Sequence, residues 1–450
     1  MALDIDRANI SQANSTSFLK DLGLNTNDFN LGNSLAKAGF LIAELPSQLI
    51  SKKIGPDRWI PAQMCLWSIV AGSQFFLSGR SSFLATRFLV GLCQGGFIPD
   101  VILYLSYYYK KSELSMRLAF FFTCNYSVYI FAGFLAIGIL KMDRIGGHEG
   151  WRWLFLIEAL FTFVVGFITF FMLPASPTQT KTWFRPNGWF TEREEIIMTN
   201  RILRDDPQKG QMHNRQAISW TMLWESLTDF DLWPLYAIGL VFQIPQTPIQ
   251  AYLTLAYRQL GFDTVMTNLL SIPNYALGIV TLLLLISFSE ALNERSFVAM
   301  SQNLWVLPCL IALYCLPAHA PWSYFAVSTV LLGAPYAHAL LVSWVSMNAG
   351  SVRSRTVGSS LYNMCVQLSG IIAAYIYRAD DAPLYRRGNR QLIAICCMCI
   401  VMFPMVKSYY IYRNKQKRKV WDAMTREQQS EYLDTTRESG SKRLDFQFFH

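Results

Sequence analysis

Apolar runs of about twenty residues recur along this chain. They lie at roughly 30–50, 60–78, 82–108, 117–140 and 152–173, and again at 233–256, 264–287, 297–316, 324–349, 356–377 and 391–412. That is the length a helix needs to cross ~30 Å of hydrocarbon. Eleven such runs leave one class of fold, an all-α polytopic membrane bundle. Length alone would suggest about three soluble domains at ~150 residues each, but only 15% of the residues are charged, against about 25% in a soluble domain. Aromatics reach 14%, as expected where Trp and Tyr form belts at the bilayer surfaces.

The runs fall into a group of five and a group of six, separated by a polar stretch. The expected organisation is therefore an N-terminal helical half at 1–173, a linker at 174–232, a C-terminal helical half at 233–412 and a basic tail at 413–450. Within the linker, TEREEIIMTNRILRDDP (191–207) reads as an amphipathic surface helix ended by Pro207. The basic segments SKKIGPDR (51–58), KKSELSMR (110–117), LNER (292–295), SVRSR (351–355) and RNKQKRK (413–419) all share the linker's side, whereas YRRGNR (385–390) lies opposite. The positive-inside rule puts the linker and both termini in the cytoplasm. The net charge of +9 is mostly this asymmetry, and no nucleic-acid partner is expected.

Two helix groups joined by a long loop are the layout of a transporter made of two repeats. The turn after the first full helix carries Gly-Pro-Asp57-Arg58, and its counterpart in the second half carries Leu-Asn-Glu294-Arg295. Such acid–Arg pairs can lock neighbouring helices as part of a conformational switch, or they can be ordinary basic turns.

Several motifs are distinctive: DRANISQAN (6–14), GPDRW (55–59), RFLVGLCQGGFIP (87–99), GWRWLFLIEALFT (150–162), SVRSRTVGSSLYNMCVQLSGI (351–371) and YRADDAPLYRRGN (377–389). With them the chain resembles the major facilitator superfamily over essentially its whole length, and within it the fungal anion:cation symporters for allantoate, nicotinate, pantothenate and sulfonates. The resemblance implies two pseudo-symmetric six-helix halves around a central cavity. It also places the Asp-Arg of DRANI mid-way along the first membrane helix. Here that pair starts at residue 6, so about half of that helix is expected to be missing, because the true start lies upstream of Met1 or the product is a degenerate fragment.

Arg87 is a permanent charge inside an apolar run. A charge at mid-bilayer costs at least ~2.5–3.5 kcal/mol and marks a pathway by default. Arg87 either snorkels to the headgroups or pairs with a neighbouring helix, or it receives an anion, because guanidinium is a planar fork that matches a carboxylate or sulfonate. The resemblance favours the anion. Gln94 lies two turns on along the same face. Related chains carry a proton-coupling glutamate there, and an amide cannot titrate. Coupling then rests on Asp6, or the chain is a uniporter, or it is inactive. Asp100 is turned about 120° from that face and is expected to pair with a basic residue such as Arg58. By resemblance, Asp6 carries the proton and Arg7 is a second anion contact, unless the segment is a disordered polar terminus.

In the second half, Gln243, Gln246 and Gln250 surround Pro245 and Pro248 in FQIPQTPIQ, which reads as a broken helix lining a cavity. Asn363 and Gln367 share a helical face, as do Asn125 and Tyr129. His338 is a candidate ligand, or a neutral histidine bonded between helices, and such polar residues are often interhelical glue. All nine cysteines fall inside predicted spans, which implies no disulfide framework and no loop metal site. NIS (9–11) and NST (14–16) are sequons of a kind frequent by chance. No HExxH, GxSxG or nucleotide-binding loop is present, so neither an enzyme nor a cofactor is expected. The reading is a monomeric, proton-coupled transporter of a small organic anion in the plasma membrane. A non-transporting receptor derived from a damaged permease is the alternative.

Overall fold

The computed structural model describes residues 2–205, 224, 227–292, 294–317, 320–349, 352–381, 385–436 and 440–450. It is helical throughout these residues apart from turns and one isolated bridge, Thr182 to Arg185. The first group comprises α1 (Ala2–Ala13), a short turn of helix α2 (Phe18–Asp21), α3 (Thr26–Ile54), α4 (Pro56–Ser73), α5 (Arg80–Gln94), α6 (Phe97–Ser106), α7 (Lys111–Ile139) and α8 (Gly150–Met172). The linker contributes α9 (Glu192–Asp205), close to the expected surface helix. Pro207, expected to end it, lies outside the described residues.

The second group comprises α10 (Trp233–Val241), α11 (Thr247–Gln259), α12 (Thr264–Leu270), α13 (Ile272–Leu292), α14 (Ser296–Cys315), α15 (Pro321–Leu332), α16 (His338–Asn348), α17 (Val352–Ala374) and α18 (Arg386–Asp422), followed by α19 (Arg426–Thr435). The two groups meet where α3 packs on α17 and α7 on α13.

What marks the surroundings of this bundle as lipid is where each helix puts its polar residues. On α8, Glu158 and Thr162 are fully buried, while Leu160, Phe163, Phe167 and Phe171 face outward, with Phe167 54% exposed. A water-soluble helix does the reverse. Among the described residues, five helical segments are long and apolar enough to cross a membrane by length and composition, fewer than the eleven runs counted from the sequence. The others have a physical reason to fall short. Some turn a polar stripe inward, such as α3 and α5, and others are interrupted, such as α10–α11 and α15–α16.

The DRANI segment is folded. α1 packs against α7 and α8, with Asp6 1% exposed. The disordered-terminus reading is therefore set aside. Asn9 and Asn14 are both buried, which removes the two sequons as surface acceptors.

The expected span 82–108 is two helices. It breaks at Gly95–Gly96, where Gly96 holds φ 82° in the left-handed region that glycine tolerates. At the other terminus α18 continues well past residue 412 through RNKQKRK. Residues 440–450 then fold back on the second group. The Asn414 side chain brackets the Phe448 backbone in both directions, at 2.8 and 2.7 Å, and Asn348 does the same for Phe449 at 3.1 and 2.8 Å. The Phe448 ring stacks on Tyr410 and is 2% exposed.

Candidate substrate cavity

A cavity of about 400 Å³ lies between the two groups and takes its lining from both. From the first group come three cations on three helices: Arg7 of α1, Lys37 of α3 and Arg87 of α5. Arg87 lies seven residues into α5, about 10 Å along at 1.5 Å per residue. Its Nη2 donates to Asn33 Oδ1 at 3.2 Å, while its Nε has no partner. The Arg7 guanidinium lies over the Phe40 ring, 5.2 Å from the centroid. The Lys37 ammonium reaches α17 at Gly370, where any Cβ would overlap it. Gln94 lines the same space, buried, with its amide nitrogen unpartnered.

Asp4 and Asp6 are the acids in the lining. Asp6 Oδ2 accepts from Trp67 Nε1 at 3.0 Å, and its Oδ1 has no partner. Behind Asp6, α1 presents Asn9 to the α8 face that carries Glu158 and Thr162. Glu158 and, on α3, Glu44 are wholly buried, and neither carboxyl group has a hydrogen-bond partner. Asn9 stands beside Glu158 and Asn363 beside Glu44, in neither case with the geometry of a formed hydrogen bond.

The second group supplies amides and rings. The break in FQIPQTPIQ is real: α10 stops at Val241 and α11 starts at Thr247, leaving Gln243, Gln246 and Gln250 in the lining. A second break, at 333–337, faces it. Gln302 of α14 clasps the two, donating to Gln246 Oε1 at 3.3 Å and accepting from the Ala337 backbone N–H at 2.8 Å. Interrupted helices expose backbone groups that must be satisfied inside the protein, and Gln302 does this. His338, at the head of α16, lies parallel to the Phe242 ring at 6.3 Å and near-parallel to Tyr362 at 5.6 Å. Asn363, Gln367, Asn125 and Tyr129 complete the wall, with Tyr129 stacked on Tyr275 of α13 across the group boundary at 4.9 Å.

Hydrogen bonds between the groups gather at the end opposite the linker. Tyr252 donates its hydroxyl to Asn30 Oδ1 at 2.5 Å, and Asn30 Nδ2 donates to the Tyr377 carbonyl at 3.2 Å. Thr254 donates to the Ser11 carbonyl at 2.9 Å, and Asn268 to Ser15 Oγ at 3.2 Å. Tyr377 and Tyr385 stack at 4.4 Å beside Tyr252, so these two tyrosines of the YRADDAPLYRRGN motif close that end.

The candidate switch residues sit at the linker end and do not form matching pairs. Arg58 is exposed and lies 3.9 Å from Asp57 beside it. Glu294 instead pairs with Lys407 of α18 at 2.5 Å, and Arg295 donates to Ser343 of α16 at 2.7 Å. Among the described residues no ion pair joins Asp100 to Arg58: Asp100 is buried on α6 and the Arg58 side chain is turned to the surface. The side chains of 351–356 lie outside the description.

A two-group helical bundle with a polar cavity between the groups narrows the families that fit, and the profile of the Major Facilitator Superfamily matches residues 1–374. This chain belongs to the Major Facilitator Superfamily. It is 46% identical to the Saccharomyces cerevisiae protein described as uncharacterized transporter YIL166C, over 100% of this chain and 83% of that one. In fold it matches the facilitator-superfamily proton:xylose symporter XylE with a TM-score of 0.67 at 13% identity, over 91% and 93% of the two chains. It also matches a bacterial homologue of the lysosomal transporter Spinster in an inward-facing, occupied conformation, with a TM-score of 0.62 at 14% identity over 90% and 94%. As a facilitator-superfamily member the chain is an integral membrane transporter of a small solute, and not an enzyme.

Proposed function

We propose that this transporter takes a small organic anion, such as a carboxylate, ureide or sulfonate, across the plasma membrane together with protons. This is the activity of the anion:cation symporter branch. The observation that carries the reading is the meeting of Arg7, Lys37 and Arg87 in one cavity lined by both helix groups. Three cations in a low-dielectric space repel one another, and an anion in their midst relieves that repulsion. Arg87 holds the anion through its guanidinium, which lines the cavity, and Arg7 is a second contact. Gln94, Gln243, Gln246, Asn363, Gln367 and His338 shape the rest of the pocket. Asp6 lines the cavity and carries the proton that Gln94 cannot.

Alternating access follows from rocking one group against the other. The closed end is held by the contacts of Asn30, Tyr252 and Tyr377, so exchange of substrate takes place toward the linker, on the cytoplasmic side. At the linker end Glu294 through Lys407 and Arg295 through Ser343 tie helices of the second group so that it moves as a unit. Asp57 and Arg58 mark the corresponding turn of the first group, and one chain suffices for the cycle.

The test is uptake of labelled organic anions by cells expressing the 450-residue chain, at acid and neutral external pH, with Arg87→Ala alongside. Uptake that rises with acidity and is lost in the variant supports anion–proton symport. Absence of uptake at either pH, with the protein at the cell surface, retires it.

A further inference from the structure

We infer that the cavity is built for an anion carrying two negative charges. The inference rests on the anion-transport reading above and sharpens it through the valence of the cargo, read from Lys37 beside the two arginines. Arg7, Lys37 and Arg87 face the cavity together with Asp4 and Asp6. Glu44, behind Asn363, is neutral because it is wholly buried and neither of its oxygens is partnered. With Asp6 holding the transported proton, Asp4 alone then offsets the three cations of the lining, and two positive charges are left for the cargo to neutralise. A monovalent anion leaves one of them unpaired in a desolvated site, and an uncompensated buried charge is strongly unfavourable.

The geometry agrees with the count. Among the described residues Lys37 has no hydrogen bond or ion pair with protein. Its ammonium is led across the group boundary to the face of α17 by the missing side chain of Gly370. Arg87 keeps an unpartnered Nε beyond its bond to Asn33. The site thus offers a planar fork on α5 and a point charge on α3, two chemically distinct receptors that suit two anionic groups on one small molecule. Amides and rings, not further charges, form the remaining walls.

Matched pairs of ligands that differ by one charge at nearly constant shape test this. Succinate against succinamate, and sulfoacetate against sulfoacetamide, would be titrated at constant ionic strength into the purified full chain, with its thermal unfolding as readout. The divalent member of at least one pair is expected to bind about tenfold or more tightly, the worth of one charge-assisted contact. Lys37→Gln brings the two members of that pair close to equal affinity, and Lys37→Arg keeps the preference. The unliganded melting temperature of each variant reports whether it has folded.

Equal affinity for the members of every pair in the unmodified chain overturns the inference while leaving anion transport standing. A preference that persists unchanged in folded Lys37→Gln also overturns it, since the second charge is then read elsewhere. If no anion of any valence shifts the unfolding, the underlying reading falls as well.

Discussion

At the scale of single residues the cavity is a balance of charges that none of its helices could bear alone. Asp6 lines the cavity with one oxygen bonded to Trp67 and the other unpartnered, and in the proposed cycle it is the proton carrier. Replacing Gln94 by glutamate adds a second titratable group on the same wall. Gln94→Glu is therefore expected to steepen the acid dependence of uptake, and Asp6→Asn to remove it, both read as initial rates across an external pH series. Arg87 was legible in the sequence as a charge in an apolar run, whereas Gln94, Asp6 and Arg7 were singled out by the family resemblance; all four lie in the cavity lining. Lys37, Glu44 and Glu158 were not singled out, although the argument made for Arg87 applies to them. They sit inside the runs 30–50 and 152–173, where averaging over a whole span hides one charge. A search for single ionisable residues within each run would have found them.

At the scale of elements, the cavity wall of the second group is built where helices stop and restart. The break at 242–246 was legible from its two prolines and three glutamines. The breaks at 95–96 and 333–337 were not, because the Gly-Gly and Gly-Ala-Pro that cause them lie within long apolar runs that read as continuous spans. Nothing in the local sequence of α14 marks Gln302, whose role exists only once the two interrupted helices meet it. Gln302→Ala leaves the buried Ala337 N–H without an acceptor. The expected loss is about 1–3 kcal/mol, seen as a lower melting temperature in detergent. Phe448→Ala empties a buried position between Tyr410 and Phe446. A loss of about 3–5 kcal/mol is expected from such a cavity, and the same measurement reports it. The sequence showed only a basic tail there, since the partners Asn348 and Asn414 are far from it along the chain.

At the scale of the whole molecule, the end opposite the linker is held by a few polar contacts between the two groups, and in the proposed cycle these set the balance between alternate states. Tyr252→Phe with Asn30→Ala removes two of those hydrogen bonds. With each worth about 0.5–1.5 kcal/mol net, the population moves toward the state open at that end. The check is faster thiol modification of Gln12→Cys from that side, on a background without the native cysteines. Unchanged reactivity would show that the closed end owes its stability to other packing. The two-group architecture itself was legible from run length and basic-loop asymmetry, because a bilayer imposes both, whereas contacts between the groups depend on tertiary approach. One such approach, the Lys37 ammonium against the bare backbone of Gly370, ties together two positions on different helix groups. Neither can drift alone: a side chain at 370 evicts the lysine, and a shorter residue at 37 removes the need for the glycine. Among homologues these two sites are expected to change as a pair, so their joint history would record when the lineage altered its cargo.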